Sequence, residues 1–325
     1  MRVCVVGAGA IGGWIAAGMA RAGHEVCVVA RGAHLDAIRA RGLVLRSKGQ
    51  ETVFRLRASG DPAELGGQDV VFIALKAHSI GAMLPRLSTV IEARTVVVPA
   101  INGLPWWYFQ GAGGPYAESS LRCLDPDGMM LRALDPGRII GCVVHAAAQI
   151  TEPGTVLHTA GDLLYLGEPD RSDSERIRRL SATMVAAGFD APVASDIRQE
   201  IWMKLIGNLS YNPIAALTLA HMDEISSNER LLEVIREMMR EAMRVAQAYG
   251  IVVNLGVEER IEMARRIGHA KISMHQDVEK GRPMETEAIL GSVLELARRV
   301  GVITPALDMI YALLEERGRH LVAAA

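Results

Sequence analysis

The sequence predicts an α/β domain built on a parallel sheet, followed by an all-helical domain, and three observations indicate this division. Up to about residue 194, short apolar runs alternate with helical patterns, as in a parallel sheet covered by helices on both faces. From residue 195 onward, helical patterns follow one another with no convincing strand. A chain of 325 residues also suits two domains, since each domain of roughly 150 residues can bury its own core. We therefore divide the chain into domains over residues 1–194 and 195–325.

Five apolar runs predict the strands of the sheet, at residues 3–6, 25–30, 70–75, 95–98 and 139–144. A helix over residues 12–21 joins the first two strands, and further runs at residues 154–158 and 163–167 predict a hairpin. In the second domain, Ser195 and Asp196 are suitable caps for a predicted helix over residues 197–210. Asn228 is a suitable cap for a long helix that follows it.

Composition and charge exclude several classes of protein. The 35 basic and 37 acidic residues give a net charge of −2, which argues against a nucleic-acid-coating surface. Residues 95–117 carry no charge, but the prolines and glycines among them argue against a membrane span. The four cysteines, at positions 4, 27, 123 and 142, show no metal-ligand spacing. They predict reduced thiols in a cytoplasmic protein without a metal site.

A glycine-rich turn follows the first predicted strand and opens the first predicted helix, with the sequence Gly7-Ala8-Gly9-Ala10-Ile11-Gly12. In this context Gly7 permits a tight turn, Gly9 lets a pyrophosphate approach the backbone, and Gly12 lets helix and strand pack closely. Free N–H groups at the start of the helix then hold the phosphate charge. The alternative is a tight strand-to-helix turn that binds nothing. The context favours dinucleotide binding and a Rossmann-type, doubly wound sheet.

The residue at the end of the second strand distinguishes NADPH from NADH. NAD-dependent enzymes typically place an acidic residue there, about 20 residues past the turn, to accept a hydrogen bond from the ribose 2′-OH. This chain has Arg31 instead, which cannot accept a hydrogen bond but can pair with a 2′-phosphate through its planar guanidinium. The alternative is an ordinary surface arginine. The sequence predicts NADPH as the cofactor.

A polar stripe crosses the first predicted helix of the second domain. Lys204, Asn208 and Asn212 follow one another at intervals of four, so they lie on one face among apolar neighbours. A lysine there is costly unless it has a task, and desolvation makes a lysine a usable proton donor. The alternative is a lysine that extends to solvent beside two structural asparagines. The pattern alone does not decide between the two.

A second polar segment covers residues 271–287. Ser273 opens a short helical run that Gly281 and Pro283 end, and Glu285 follows near the head of the next helix. A carboxylate near a helix start is also favoured by the helix dipole, which is the plain structural explanation for Glu285. By itself this segment predicts only a loop between helices.

Taken together, these motifs resemble those of the ketopantoate reductase (2-dehydropantoate 2-reductase) family over nearly the whole chain. Beyond the glycine turn, the resemblance rests on short motifs in a fixed order: Ala30-Arg31, Leu75-Lys76-Ala77, Asn102-Gly103, Gly154 to His158, Leu166-Gly167-Glu168-Pro169, Trp-x-Lys-x-x-x-Asn-x-x-x-Asn-Pro from Trp202, and Ser-Met-x-Gln-Asp…Gly-Arg-Pro-x-Glu from Ser273. No single motif is specific. Their order and spacing carry the resemblance.

The resemblance implies an NADPH-dependent reduction of the 2-oxo group of ketopantoate to give pantoate, a step toward pantothenate and coenzyme A. By this analogy Lys204 is the general acid, while Glu285 bonds the substrate hydroxyl and orients Lys204. Asn102 lies near the nicotinamide and the substrate, and Lys76 lies on the cofactor side. The side chains implied to hold the substrate's carboxylate and oxygens are Asn208, Asn212 and Ser273.

The chain departs from the family pattern after Asn102 and Gly103. Five of its 14 aromatic residues lie between Trp106 and Tyr116, and the chain continues irregularly to about Arg138. This segment is either a loop that reshapes or covers the active site, or a flap packed on its own domain or on a partner subunit. The departure leaves open a family member that reduces another 2-oxo acid.

Two other functions compete with the reductase. A dehydrogenase of the β-hydroxyacid type would favour a differently spaced glycine-rich turn before its lysine, and a non-catalytic NADP-binding sensor has no need of Lys204. We expect a small 2-oxo acid as the partner, rather than nucleic acid or a membrane. Met238, Met239 and Met243 on the long predicted helix fit either a homodimer face or the core.

Overall fold

The computed structural model describes residues 1–323, which form two units. The first comprises Met1–Ile101, Trp106–Ser120 and Asp127–Ile197. The second comprises Asn102–Pro105, Leu121–Pro126 and the chain from Arg198 onward. The chain between residues 102 and 126 is therefore shared by both units. The predicted division into residues 1–194 and 195–325 places this whole stretch in the first domain, so it did not include the exchange of these segments between the units.

The regular elements of the first unit are, in chain order, β1 (Arg2–Val6), α1 (Ala10–Arg21), β2 (Glu25–Val29), α2 (Gly32–Arg41), β3 (Leu43–Ser47), β4 (Gln50–Phe54), β5 (Arg57–Ser59), β6 (Gln68–Ile73), α3 (Ala77–Leu87), β7 (Ile91–Pro99), α4 (Met129–Ala133), β8 (Gly141–Glu152), β9 (Thr155–Gly167) and α5 (Glu175–Ala186). Those that follow are α6 (Ile197–Thr218), α7 (Met222–Ser227), α8 (Glu229–Ala248), α9 (Val257–Arg265), α10 (Ser273–Glu279), a π-helical turn (Glu287–Gly291), α11 (Ser292–Val300) and α12 (Pro305–Ala323).

The first unit is built on a five-stranded parallel sheet with the strand order β5-β2-β1-β6-β7. At its centre, Val5 of β1 pairs with Val28 of β2 and with Phe72 of β6, and all three side chains are fully buried. A central strand that is apolar on both faces is what a sheet covered by helices requires. The predicted fold class, an α/β Rossmann-type domain followed by helices, is confirmed.

A second, four-stranded sheet has the order β4-β3-β9-β8 and was not predicted. β3 and β4 form an antiparallel hairpin through Lys48 and Gly49, which both have left-handed φ angles, of 50° and 75°. β9 pairs in parallel with β3 and antiparallel with β8. The sheet therefore combines two hairpins that lie far apart in the sequence.

The hairpin predicted from residues 154–158 and 163–167 is wrong. Both runs belong to the single strand β9, and the partner of β9 is β8, which continues well past the predicted strand at residues 139–144. The polar residues between the two runs lie where the register of the β8–β9 pair shifts, so they form an irregularity within the strand rather than a turn. The actual turn is at Gly154, where φ is 80°.

Helix α1 packs closely against the second sheet. A Cβ atom at Gly13 would lie 2.7 Å from the side chain of Val156 on β9, so only glycine fits there. The ring of Trp14 stacks on His158, also on β9, with 5.0 Å between ring centroids, and meets the edge of Phe189 at 4.7 Å. The helix that begins at the glycine turn is thus held by the strand that begins at Gly154.

Helix α6 is longer than predicted. α6 continues to Thr218, although Pro213 lacks the N–H that would bond the carbonyl of Leu209. The residues after Pro213 continue the buried face, and Ala215 and Ala216 are fully buried, so packing outweighs the lost hydrogen bond. Asn228 caps α8 as predicted, because its side chain accepts hydrogen bonds from two backbone N–H groups.

The methionines of α8 and the aromatic segment both contribute to buried packing. Met238 and Met239 are fully buried within the second unit, which favours the core over a dimer face for these two. Trp106, Trp107, Tyr108 and Phe109 are at most 3% exposed. They belong to the first unit, where a Cβ atom at Gly141 would lie 2.7 Å from the ring of Trp107. The Trp107 ring therefore packs on its own unit.

Some kinds of site have no counterpart among the described residues. Within residues 1–323, no helix combines the length and the hydropathy needed to cross a bilayer. The same residues bring together no group of three or more His, Cys, Asp or Glu side chains suited to hold a metal ion. The cysteines at positions 4, 27, 123 and 142 are free thiols.

Glu241 on α8 fixes the start of α12. Its side chain is fully buried, and its two carboxylate oxygens accept hydrogen bonds from the backbone N–H groups of Ala306 and Leu307, at 3.0 and 2.9 Å. These N–H groups belong to the first turn of a helix, where no intrahelical acceptor is available and a negative charge is favoured by the dipole. Glu241 therefore joins two helices of the second unit.

We expect Glu241→Ala to lower the free energy of unfolding by about 3 kcal/mol, because two buried N–H groups lose their acceptors and a cavity remains. Glu241→Gln should lose less, since its amide oxygen keeps one acceptor. The control is Glu237→Ala on the same helix, whose exposed ion pairs with Arg240 and Arg244 should be worth less than about 0.5 kcal/mol. Urea denaturation measures all three. Equal losses for Glu241→Ala and Glu237→Ala would contradict the cap.

Candidate active site

The three glycines of the turn after β1 have different steric surroundings. Gly7 has a φ of 95°, and a Cβ atom there would lie 2.6 Å from the carbonyl oxygen of Ala74. A Cβ atom at Gly12 would lie 2.0 Å from the carbonyl oxygen of Gly7. In contrast, a Cβ atom at Gly9 would meet no protein atom within 4 Å. The fold therefore requires glycine at positions 7 and 12, whereas the space above Gly9 is open for a ligand.

The backbone N–H groups of this turn divide into two sets. Those of Gly7 and Ala8 donate to the carbonyl oxygen of Val29, at 3.0 and 3.1 Å, and tie the turn to the end of β2. The N–H groups of residues 9–12 have no acceptor within the part of the chain that the structure describes. Gly9, the N-cap of α1, also provides no capping side chain. Four free donors at the start of a 12-residue helix can hold a phosphate group.

The two cationic residues predicted for this site follow the two strands that flank β1. Arg31 follows β2 and is the N-cap of α2. Its guanidinium is exposed and makes no hydrogen bond or ion pair with residues 1–323. Lys76 follows β6 and is the N-cap of α3. Because β1, β2 and β6 are adjacent parallel strands, both residues follow the carboxyl edge of the sheet, as the glycine turn does.

In the second unit, Lys204, Asn102 and Glu285 form a hydrogen-bonded chain. The Nζ of Lys204 donates to the Oδ1 of Asn102 at 2.8 Å, and the Nδ2 of Asn102 approaches the Oε2 of Glu285 at 3.5 Å. Glu285 is only 4% exposed, while Lys204 and Asn102 are half-buried. The ammonium fixes the orientation of the Asn102 amide, since only the amide oxygen can accept a hydrogen bond from it. The amide thus links a half-buried cation to a buried carboxylate.

Gly103 fixes the position of Asn102. Its φ is 80°, and a Cβ atom there would lie 2.1 Å from the carbonyl oxygen of Ala288. The next residue, Leu104, donates its N–H to the same carbonyl at 2.8 Å. Ala288 lies in the π-helical turn, a rare conformation that often occurs at functional sites. The asparagine is therefore held by a direct backbone contact to the segment that follows Glu285.

The remaining predicted polar residues lie on α6 and α10. Asn208 is half-buried one helical turn beyond Lys204, and Asn212 is buried one turn further. The Oγ of Ser273, the first residue of α10, lies 3.5 Å from the Oδ1 of Asn212. One face of α6 therefore takes part in both the Lys204–Asn102 and the Ser273–Asn212 contact.

Sequence reasoning missed two residues near these groups. Glu200 lies one turn before Lys204 on α6, and burial raises the pKa of its carboxyl group. Its spacing of four from Lys204 was a readable signal. His34 contacts the carbonyl oxygen of Ala8 at 2.7 Å within the glycine turn. No local pattern predicts that contact, because it joins helix α2 to the glycine turn across 26 residues.

The chain is similar to known proteins along most of its length. Residues 3–106 match the family described as "Ketopantoate reductase PanE/ApbA", and residues 196–318 match "Ketopantoate reductase PanE/ApbA C terminal". A protein of Mesorhizobium japonicum named 2-dehydropantoate 2-reductase is 45% identical over 323 residues, which cover 98% of this chain and 99% of that protein.

Solved structures agree with this similarity. The crystal structure of a candidate ketopantoate reductase from Ralstonia solanacearum has a TM-score of 0.94 and 36% identity, covering 99% of this chain and 98% of that one. The crystal structure of 2-dehydropantoate 2-reductase from Geobacter metallireducens has a TM-score of 0.86 and 27% identity, covering 97% of this chain and 99% of that one.

The different surroundings of Gly9 and Gly12 predict that alanine substitutions at the two positions change the free energy of unfolding by different amounts. We expect Gly12→Ala to lower the free energy of unfolding by about 3 kcal/mol, because the new methyl group overlaps a backbone oxygen that cannot move freely. Gly9→Ala should change it by less than about 1 kcal/mol, since its φ of −67° is allowed for alanine and the space is empty. Guanidinium denaturation of both variants checks this. A large loss for Gly9→Ala would mean that the space is not open.

Proposed function

The chain belongs to the ketopantoate reductase family, and on that premise we propose that it catalyses the NADPH-dependent reduction of ketopantoate to pantoate. The observation that carries this proposal is the chain from Lys204 through Asn102 to Glu285, which joins a proton donor to a buried carboxylate. A metabolic 2-oxo acid reductase needs such a donor, whereas a cofactor-binding sensor does not.

The residues of the first unit fit a nicotinamide dinucleotide. The open space above Gly9 and the four free N–H groups of residues 9–12 suit its pyrophosphate. The exposed guanidinium of Arg31 suits a 2′-phosphate, which favours NADPH over NADH. Lys76 is placed at the same edge of the sheet and would add a second positive charge for the cofactor. When bound, NADPH supplies the hydride.

Lys204 would supply the proton. As carbon 2 of the substrate accepts a hydride, its oxygen gains negative charge, and the Nζ of Lys204 gives a proton to that oxygen. The lysine becomes neutral and must regain a proton before the next cycle. Asn102 keeps the Nζ in place during this step, and the Glu285 carboxylate would accept a hydrogen bond from a substrate hydroxyl. One charged donor oriented by a neutral amide is sufficient for this chemistry.

Three neutral side chains would bind the substrate. Asn208, Asn212 and Ser273 offer amide and hydroxyl donors to its carboxylate and oxygens without a second cation that would compete with Lys204. The half-buried position of Asn208 and the Ser273–Asn212 contact support this assignment. We accordingly assign cofactor binding to the first domain and substrate binding to the helical second domain.

The proposed reaction is tested by following NADPH absorbance with a panel of 2-oxo acids that includes ketopantoate, 2-oxoisovalerate, pyruvate and phenylglyoxylate. We expect the highest kcat/KM with ketopantoate. Higher kcat/KM with another 2-oxo acid would change the substrate and keep the reaction class. Tight NADPH binding without turnover of any of them would favour the sensor and overturn the proposal.

We expect Lys204→Ala to lower kcat by about 10² to 10⁴, the usual contribution of a positioned general acid, and to leave the Kd for NADPH nearly unchanged. The matched control is Lys280→Ala, which removes an exposed lysine of the same unit and should leave kcat unaltered. Steady-state kinetics and an NADPH fluorescence titration measure the two quantities. An unaltered kcat for Lys204→Ala would make this lysine structural.

Arg31→Asp should reverse or strongly narrow the preference for NADPH over NADH. The carboxylate repels a 2′-phosphate and accepts a hydrogen bond from a 2′-hydroxyl. The ratio of kcat/KM for the two cofactors is the measurement, and Arg39→Asp, an exposed position on the same helix, is the control. If the ratio for Arg31→Asp equals that of the wild-type protein, Arg31 does not recognise the cofactor.

A further inference from the structure

His34 on α2 joins two turns of the first unit. Its Nε2 lies 2.7 Å from the carbonyl oxygen of Ala8 in the glycine turn, and its Nδ1 lies 2.9 Å from the backbone N of Gly154 in the turn between β8 and β9. The imidazole is half-buried. Both turns belong to motifs shared with the family, Gly7 to Gly12 and Gly154 to His158, but the proposed function uses only the first.

These two contacts determine the tautomer of the imidazole. The backbone N–H of Gly154 can only donate, so Nδ1 must be the unprotonated, accepting nitrogen. A neutral imidazole then carries its hydrogen on Nε2, which donates it to the carbonyl of Ala8. Neither the imidazolium nor the other tautomer satisfies both contacts, because each places a hydrogen on Nδ1 opposite the Gly154 N–H.

The carbonyl that His34 holds belongs to the peptide unit that includes the N–H of Gly9. In a planar trans peptide the C=O and the following N–H point in opposite directions, so the direction of one fixes the direction of the other. The N–H of Gly9 is the first of the four free donors at the start of α1. The N–H of Ala8 is bonded to Val29, so the peptide units on both sides of Ala8 are held.

The turn at Gly154, which contacts the Nδ1 of His34, is also held in place by its neighbours. The guanidinium of Arg41, also on α2, donates to the carbonyl of Pro153, and the carbonyl of Gly154 accepts from the N–H of Val44 at 2.9 Å. A Cβ atom at Gly154 would lie 2.9 Å from the side chain of Ala37, so this turn lies directly on α2. The imidazole is therefore held between two backbone segments that are themselves fixed.

We propose that His34 is a positioning residue for the cofactor: in its neutral Nε2–H form it aims the Gly9 N–H at the pyrophosphate, and its protonation weakens cofactor binding. This inference rests on the proposed function, since it takes the glycine turn to be the NADPH site. His34 itself touches only the backbone of the turn, so it acts through the Ala8–Gly9 peptide unit.

The surroundings of His34 favour the neutral form. Burial lowers the pKa of the imidazole, and the Ala8 carbonyl opposes this only in part. The charged residues on α2 and at its N-cap are Arg31, Asp36, Arg39 and Arg41, and Glu152 lies beside the Gly154 turn, while residues 7–12 carry no charge. None of these charges contributes to the shift of the pKa. Protonation of His34 therefore occurs only at acidic pH, and it removes the hydrogen bond from the Gly154 N–H to Nδ1.

Two near-isosteric substitutions separate the contacts. In His34→Gln the amide nitrogen of the new side chain occupies the place of Nε2 and can still donate to Ala8, whereas the shorter side chain of His34→Asn reaches only the place of Nδ1. The matched control is His24→Gln, because burial also lowers the pKa of His24 but that residue contacts the N-terminal amine rather than the glycine turn. Thermal unfolding of each variant establishes that it is folded at the temperature of the titrations.

The experiment measures the Kd for NADPH at about pH 8 and at about pH 5, because the pKa of His34 lies below the ordinary histidine value of about 6.5. At the higher pH we expect His34→Asn to bind about tenfold more weakly than the wild-type protein, and His34→Gln to bind within about threefold of it. At the lower pH the Kd should rise more for the wild-type protein and His24→Gln than for His34→Gln. The 2′-phosphate of NADPH titrates equally with all three proteins, so a difference in the rise of Kd between them is due to His34.

Wild-type affinity in His34→Asn, or an undiminished acid-side rise of Kd in His34→Gln, would overturn the inference and leave the proposed function intact. If His34→Asn does not fold, the pH profile of His34→Gln still decides. Failure of the wild-type protein to bind NADPH at either pH would instead overturn the cofactor assignment, and the inference with it.

Discussion

The candidate site depends on three glycines at which one backbone segment meets another without an intervening side chain. At Gly7, Gly12 and Gly103, a Cβ atom would lie between 2.0 and 2.6 Å from a carbonyl oxygen. The first two contacts bring the start of α1 against the sheet, and the third holds Asn102 on the π-helical turn. Side chains cannot supply such short, rigid contacts, because they have rotamers of their own.

The polar groups of the candidate site include few that carry a formal charge. Lys204 is the one cation among the residues proposed to bind substrate, and the Asn102 amide links it to the buried Glu285 carboxylate. In the first unit the phosphate groups of the proposed cofactor would be met mainly by N–H dipoles, which carry no formal charge. These features agree with a chain whose net charge is only −2.

The sequence predicted the features that depend on local periodicity. The glycine turn, the first βαβ unit and the stripe of Lys204, Asn208 and Asn212 each follow from spacings of a few residues. Features that depend on contacts between distant segments were missed: the second sheet needs β3 to pair with β9, and Asn102 meets Lys204 across 102 residues. The false hairpin in β9 shows the opposite error, since a polar interruption that suggests a turn is absorbed as a shift of register.

The exchange of segments between residues 102 and 126 has a consequence for how such a protein can be rearranged by recombination. A gene fragment that begins at residue 198 would encode the helices of the second unit but neither Asn102–Pro105 nor Leu121–Pro126. It would lack Asn102, and it would leave the carboxylate of Glu295 without the N–H groups of Arg122 and Cys123, from which it accepts hydrogen bonds at 2.9 Å. The helical unit is therefore not a transferable module in the sense that an appended domain is, and its inheritance is tied to that of the sheet.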